Sequence, residues 1–253
     1  MRILVVGDTH SNTTWWGSVV RPAIRDVRPN AVLSVGDFGY WPDHDEGRAF
    51  LAEVSDSLAA VGTSLWFVDG NHEQHDRLSP RTSPHRVYPG VHHLPRGARW
   101  TWESIRFGAL GGAVSPDREN RTEGWDWFES ERITDADLVR LGVGPLDVLV
   151  THDAPSWCRL QAPNAPSAKV DRDTRKNRAL VDRAITATAP ALVLHGHWHL
   201  AHVALADPAR QRPAVLGMGA DGHRSTSVAL LDVCRLDPST RALTWSIKAI
   251  VCT

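Results

Sequence analysis

Five short apolar runs in this chain show no polar alternation: Ile3–Val6, Val32–Val35, Leu65–Val68, Val148–Val150 and Leu192–Leu194. Runs of that kind mark strands buried on both faces, the habit of sheets that helices cover. Each run ends in a turn carrying polar side chains. In order these are Gly7-Asp8-Thr9-His10, Gly36-Asp37, Gly70-Asn71-His72-Glu73, Thr151-His152-Asp153 and His195-Gly196-His197-Trp198-His199. The carboxyl ends of strands are where α/β proteins place their chemistry, so the five turns together predict a metal centre.

The donor types narrow the metal. Asp carboxylates, neutral imidazoles and an Asn carbonyl suit Mn, Fe or Zn rather than an ion that demands thiolates. The donors are too many for one ion, and two ions are the economical reading. Taken singly, each block has an ordinary explanation. Asp8 and Asp37 would serve as helix N-caps, Asn71-His72 as a turn after Gly70, and His152 as a structural histidine. Only the conjunction is specific.

That conjunction resembles the calcineurin-like metallophosphoesterases, whose pattern is Asp-x-His, Gly-Asp, Gly-Asn-His-Asp/Glu, a lone His and Gly-His-x-His. The resemblance covers residues 1 to about 200. It implies an α/β fold, a four-layer αββα sandwich of two mixed sheets flanked by helices. It gives Asp8, His10 and His199 to one divalent ion and Asn71, His152 and His197 to the other. Asp37 bridges both, and His72 is the catalytic, non-ligand imidazole facing substrate. Mn is the favoured ion, with Fe and Zn as alternatives.

Two ions about 3.5–4 Å apart hold and activate a bridging water and clamp phosphoryl oxygens, so the expected reaction is hydrolysis of a phosphate ester. His72 would protonate the leaving oxygen or stabilise its charge, a role that suits a pKa near neutrality. Glu73 would orient His72 from behind, or else face solvent. His195 is a further candidate for support of the ligands.

Substrate is read from the rim. The protein serine/threonine phosphatases and dinucleoside tetraphosphatases of this superfamily carry a phosphate-holding Arg after the second block, whereas here Phe38-Gly39-Tyr40-Trp41-Pro42 follows. Tyr40 and Trp41 could stack a base or simply cover the site loop, and His223 could reach substrate if its loop folds back. The expected substrate is therefore a small phosphate ester, a nucleotide diester, with cyclic nucleotides included in that class. A nuclease, a phosphomonoesterase and a protein phosphatase are rivals within the superfamily, and a metal-free binding scaffold is the rival outside it.

Composition fits one domain over residues 1–253. A formal net charge of -1 argues against a general nucleic-acid coat or an anionic membrane surface. Cys158, Cys234 and Cys252 are odd in number and widely spaced, so a disulfide framework is not expected. The first strand starts at once, without a signal-peptide core, and no run approaches a membrane helix in length. The expected location is the cytoplasm. His44, His75, His85, His92, His93, His202 and His223 are expected at the surface. The eleven tryptophans are mostly expected in the core, with some beside the site. Lys169–Arg178 reads as a solvated helix start neutralised by Asp171 and Asp173, rather than as a phosphate-binding stretch.

Along the chain the pattern predicts a helix over Thr13–Val27, one near Glu46–Val61, and strand three at Ser64–Val68. Antiparallel ribbons follow over 86–112. Then come a helix near Thr134–Leu141, a strand at Leu146–Val150, a helix near Thr174–Thr188 and a strand at Ala191–Leu194. Strands at Ala214–Met218, Ser227–Val233 and Leu243–Ile250 complete the order.

Overall fold

A computed structural model describes residues 1–78, 81–161, 166–235 and 243–250. The strands are β1 (Arg2–Val6), β2 (Ala31–Ser34), β3 (Leu65–Phe67), β4 (His85–Tyr88), β5 (Val91–His93), β6 (Arg99–Trp102) and β7 (Ile105–Leu110). They continue as β8 (Val148–Thr151), β9 (Leu192–His195), β10 (His202–Ala204), β11 (Ala214–Gly217), β12 (Val228–Arg235) and β13 (Leu243–Ala249). They build two sheets, ordered β13-β12-β1-β2-β3-β5-β4 and β10-β11-β9-β8-β7-β6. Both sheets are mixed. The β1, β2, β3 and β5 pairings are parallel, as are those of β7, β8, β9 and β11, while the outer strands run antiparallel.

The unalternating runs do what two-faced burial requires. In β1, Ile3 and Val5 enter a core shared with Phe107, Val148, Val150, Leu192 and Leu194 of the other sheet. Leu4 and Val6 face the opposite way, against Trp16, Val20, Ile24, Phe50 and Val54 from helices. A third cluster packs Leu149 and Val193 under Val181, Ala184 and Ile185. Helices, sheet, sheet and helices make the four-layer αββα sandwich.

The helix over residues 13–27 is capped by Asn12, whose side chain accepts the Trp15 N–H. Pro22 has no N–H to give, and the chain absorbs it in a wide turn at Trp16–Val20, where the Arg21 N–H reaches the Trp16 carbonyl. Helix Asp45–Ala59 buries Gly47, Phe50, Leu51, Val54 and Leu58 at helical spacing.

Helix Ala168–Thr188 starts six residues before the position its apolar period predicts. Ser167 accepts the Val170 N–H, and Arg175 and Lys176 pair with Asp171 and Asp173 on a solvated face. Polar first turns carry no apolar period, which is why the start is invisible to it. Cys158 and Cys234 are free; Cys252 lies outside the described residues. Among the described residues no helix is long and apolar enough to cross a membrane.

Two histidines expected at the surface are buried. His75 and His93 are 4% and 3% exposed and flank Asp69, which the Arg96 guanidinium holds through Nε at 2.7 Å. The strand β5 that carries His93 lies in the stretch expected as antiparallel ribbon, but it pairs parallel with β3 as well as antiparallel with β4, which places it inside the sheet.

Candidate metal centre

The five strand ends converge between the two sheets. Two groups of ligand atoms form there, each with its members within 4.8 Å of one another: Asp8, His10, Asp37 and His199, and Asp37, His152 and His197. Asp37 belongs to both. Its Oδ1 accepts the backbone N–H groups of Asn71 and His72, at 2.8 Å each. Its Oδ2 lies 3.5 Å from His10 Nε2 and 3.3 Å from His152 Nε2, one from each group.

The other donors are aimed by their own partners. His152 Nδ1 lies 2.8 Å from the Val35 carbonyl, which accepts its proton and turns Nε2 toward Asp37. Asn71 donates its amide to Ser115 Oγ at 3.1 Å, which turns Oδ1 to within 3.2 Å of His152 Nε2. Ser115 Oγ in turn donates to Glu131. His10 gives its Nδ1 side to Asp221 Oδ1 at 2.9 Å and keeps Nε2 for the centre. His199 Nε2 lies 3.3 Å from Asp8 Oδ2, which also accepts the His197 N–H.

The backbone is bent to achieve this. Asp37, His10, His197 and His199 all have positive φ, between 46° and 66°. Non-glycine residues avoid that region, and where they occupy it the surroundings impose it, commonly at functional sites. The glycines beside them answer to crowding. A Cβ at Gly70 would sit 2.1 Å from Asp37 Oδ1, and one at Gly196 would sit 2.1 Å from Asp8 Oδ1.

The donor set fits divalent metal ions. Asp8 Oδ1 is buried and has no hydrogen-bond partner among the described residues, and burial pushes the Asp8 carboxyl up to about 7. Burial opposes charge on His10 and His152 as well, yet Asp221 and Asp37 raise His10 to about 11, and Asp37 raises His152 to about 10. Asp37 itself is held below the usual carboxylate range, burial being outweighed by the charge of His152 and by hydrogen bonds from His10 and His152. A cluster of this kind keeps protons where cations belong.

The remaining candidates divide. His72 stands edge-on to His10, with ring centroids 5.3 Å apart. Burial and the neighbouring Arg121 pull its pKa down to about 4, away from the neutrality expected for a proton donor. Trp41 donates its indole N–H to the His72 carbonyl at 2.9 Å. Tyr40 is buried with its ring against Phe67, which puts it in the core rather than on the rim. Glu73 does not face solvent; it is fully buried and accepts the Gly70 and Gly39 N–H groups, holding two site turns rather than the His72 ring. His195 is buried, its ring nitrogens near the Gly196 carbonyl and His202.

The loop carrying His223 does fold back, because the Asp221 N–H reaches the Asp8 carbonyl at 2.7 Å. The side chain it delivers is that of Asp221, and His223 stays exposed. Asp221, Ser115, Glu131 and Arg121 are thus the site neighbours that the strand-end pattern misses. Ser115 and Asp221 follow the apolar runs of β7 and β11 without a histidine or Gly-Asp block beside them, and Glu131 and Arg121 lie in polar stretches, so no ligand-type block marks them.

A fold of this order, with a shared carboxylate between two histidine-rich groups, defines a metallophosphoesterase. The chain belongs to the calcineurin-like phosphoesterase family, whose model matches residues 1–201. No curated protein matches the chain. Among solved structures it is similar to a hypothetical protein from Thermus thermophilus, at 11% identity over 98% of this chain and 99% of that one, TM-score 0.46. It is also similar to a metallophosphoesterase from Sphaerobacter thermophilus, at 16% identity over 98% and 88%, TM-score 0.40. A conserved uncharacterized protein from Streptococcus pneumoniae, described as a predicted phosphoesterase, aligns at 14% identity over 91% and 81%, TM-score 0.38. These fits are loose, and membership rests on the family model. The family is one of phosphoric ester hydrolases that use divalent metal ions.

Proposed function

We propose that residues 1–253 act as one cytoplasmic phosphodiesterase domain that hydrolyses small nucleotide diesters with two divalent ions, Mn by preference. The observation that carries this reading is Asp37 Oδ2, which faces His10 and His152 from separate ligand groups. Asp8, His10 and His199 would hold one ion, Asn71, His152 and His197 the other, with Asp37 common to both. When bound, such a pair supplies Lewis acidity toward the phosphoryl oxygens and lowers the pKa of water.

The chain's own residues do the rest. The Asn71 and His72 N–H groups pin Asp37 Oδ1 so that only Oδ2 is free to be shared. Asp221 fixes the orientation of His10, and Val35 that of His152. His72 protonates the leaving oxygen or stabilises its charge through a hydrogen bond. Trp41, His44, Trp125 and Phe128 form an aromatic wall that the Trp41 indole ties to the His72 carbonyl. Trp41 and His44 are edge-on at 5.3 Å, His44 and Trp125 are 5.4 Å apart, and Trp41 and Phe128 are 6.4 Å apart. A wall of that kind supports a base-bearing substrate.

The test is turnover of bis-p-nitrophenyl phosphate beside p-nitrophenyl phosphate, after chelation and repletion with Mn. Faster diester turnover that Asp37→Ala abolishes and His72→Ala reduces is expected. Faster monoester turnover would overturn the diester preference, and no Mn-dependent turnover of either would overturn the hydrolase reading.

A further inference from the structure

We propose that Arg121 binds the substrate phosphoryl group together with His72. The inference rests on the phosphoesterase reading above and names a residue that no strand-end block contains.

Arg121 comes from the long stretch between β7 and β8, just after the short turn Arg118–Asn120. Its Nη2 lies 3.3 Å from His72 Nε2. It thus brings a guanidinium into contact with the candidate catalytic histidine. The side chain is 16% exposed and held from behind: Asp117 Oδ2 accepts Nη2 at 2.8 Å, and the Asp126 carbonyl accepts Nη1 at 3.0 Å. Asp117 is itself half exposed, so its carboxylate offsets the cation only in part.

This contact sets a guanidinium edge and an imidazole edge side by side, so that an anionic oxygen bound beside the pair can accept from both. A guanidinium also presents a planar fork suited to phosphate. The second block continues into Phe38 and not into a cation, and Arg121 brings a positive charge to the site from another part of the chain. The residues that follow it extend the same surface. Trp125, Asp126 and Trp127 all turn their N–H groups to the Thr122 carbonyl, which sets Trp125 against His44. Phosphate at Arg121 would therefore place the organic part of a substrate along the aromatic wall.

Calorimetric titration of the Mn-loaded full chain with inorganic phosphate tests the assignment without requiring turnover. Arg121→Ala should weaken phosphate binding about 10–100-fold, the loss expected for a charged hydrogen bond, with Arg121→Lys intermediate. The same variant should lower kcat/KM for bis-p-nitrophenyl phosphate by about tenfold or more while Mn affinity stays unchanged. Unchanged phosphate affinity in Arg121→Ala would overturn the proposal. So would a loss of Mn affinity that accounts for the phosphate loss, since Arg121 would then only brace the metal loop. Absence of Asp37-dependent turnover in the wild type overturns the hydrolase reading instead, and the phosphate titration still decides Arg121.

Discussion

At Asp37 the two carboxylate oxygens have different work, and that division makes a sharp prediction. Oδ1 is consumed by two backbone N–H groups, so the residue also shapes the Gly70-Asn71-His72 turn. Asp37→Asn preserves an oxygen for one of these tasks but not both, and Asp37→Ala preserves neither. Bound Mn, counted by elemental analysis after gel filtration, should fall at both positions in Asp37→Ala, with diester turnover lost. Two tightly bound ions in that variant would refute a shared ligand. Asp221 offers the contrasting case, because its side chain pairs with His10 and Asn12 and not with Asp37. Removing the carboxylate that orients a ligand imidazole costs about 10–100-fold in metal affinity. In Asp221→Ala, one Mn should weaken by that factor while the other is spared; equal weakening of both would sink the assignment of His10 to one ion alone.

The elements that carry the site were legible in the sequence for a physical reason: β1, β2, β8 and β9 are buried on both faces, so their apolar runs are uninterrupted and their polar ends stand out. Elements with one wet face, or with polar first turns, were not. The chain gives little sign of β10, His202–Ala204, and the first six residues of helix Ala168–Thr188 carry no apolar period, so that only their charge pattern reads as a solvated helix start. The turn Glu129–Glu131 belongs with these, although its last residue is fully buried beneath the site. Glu131 accepts Ser115 N–H and Oγ–H, yet burial raises its pKa from the ordinary 4.5 to about 7. Between those values the unfolded chain has released the proton and the folded protein retains it. Stability must therefore fall as pH rises from about 4.5 to about 7 and level off above. The contribution is about 3 kcal/mol at most. Urea midpoints of wild type and Glu131→Gln, measured near pH 5 and near pH 8, check it. The wild type should lose more stability than the variant over that interval, and equal losses would show that Glu131 is ionised in the folded protein throughout.

On the scale of the whole molecule, the sandwich gathers ionisable groups where a fold would ordinarily put apolar ones. Asp8, Asp37, Glu73, His152 and Asp153 are all at most 1% exposed, at the end of the layer where both sheets deliver their strand ends. Groups so buried oppose folding unless paired, and Asp8 Oδ1 has no partner at all among the described residues. Divalent cations are the natural complement, and a ligand that binds only the folded state stabilises it by mass action. At a free Mn concentration a hundred times its dissociation constant, each ion adds about 2.7 kcal/mol. For a chain of this size that amounts to a rise of about 5–10 °C in the unfolding midpoint per ion. Chelation should lower the midpoint and Mn should restore it, whereas Asp37→Ala should give one midpoint in both conditions. A wild-type midpoint indifferent to chelation, in protein shown by elemental analysis to have lost its metal, would mean that the cluster is neutralised by its own protons. The sandwich would then be a scaffold and not an enzyme.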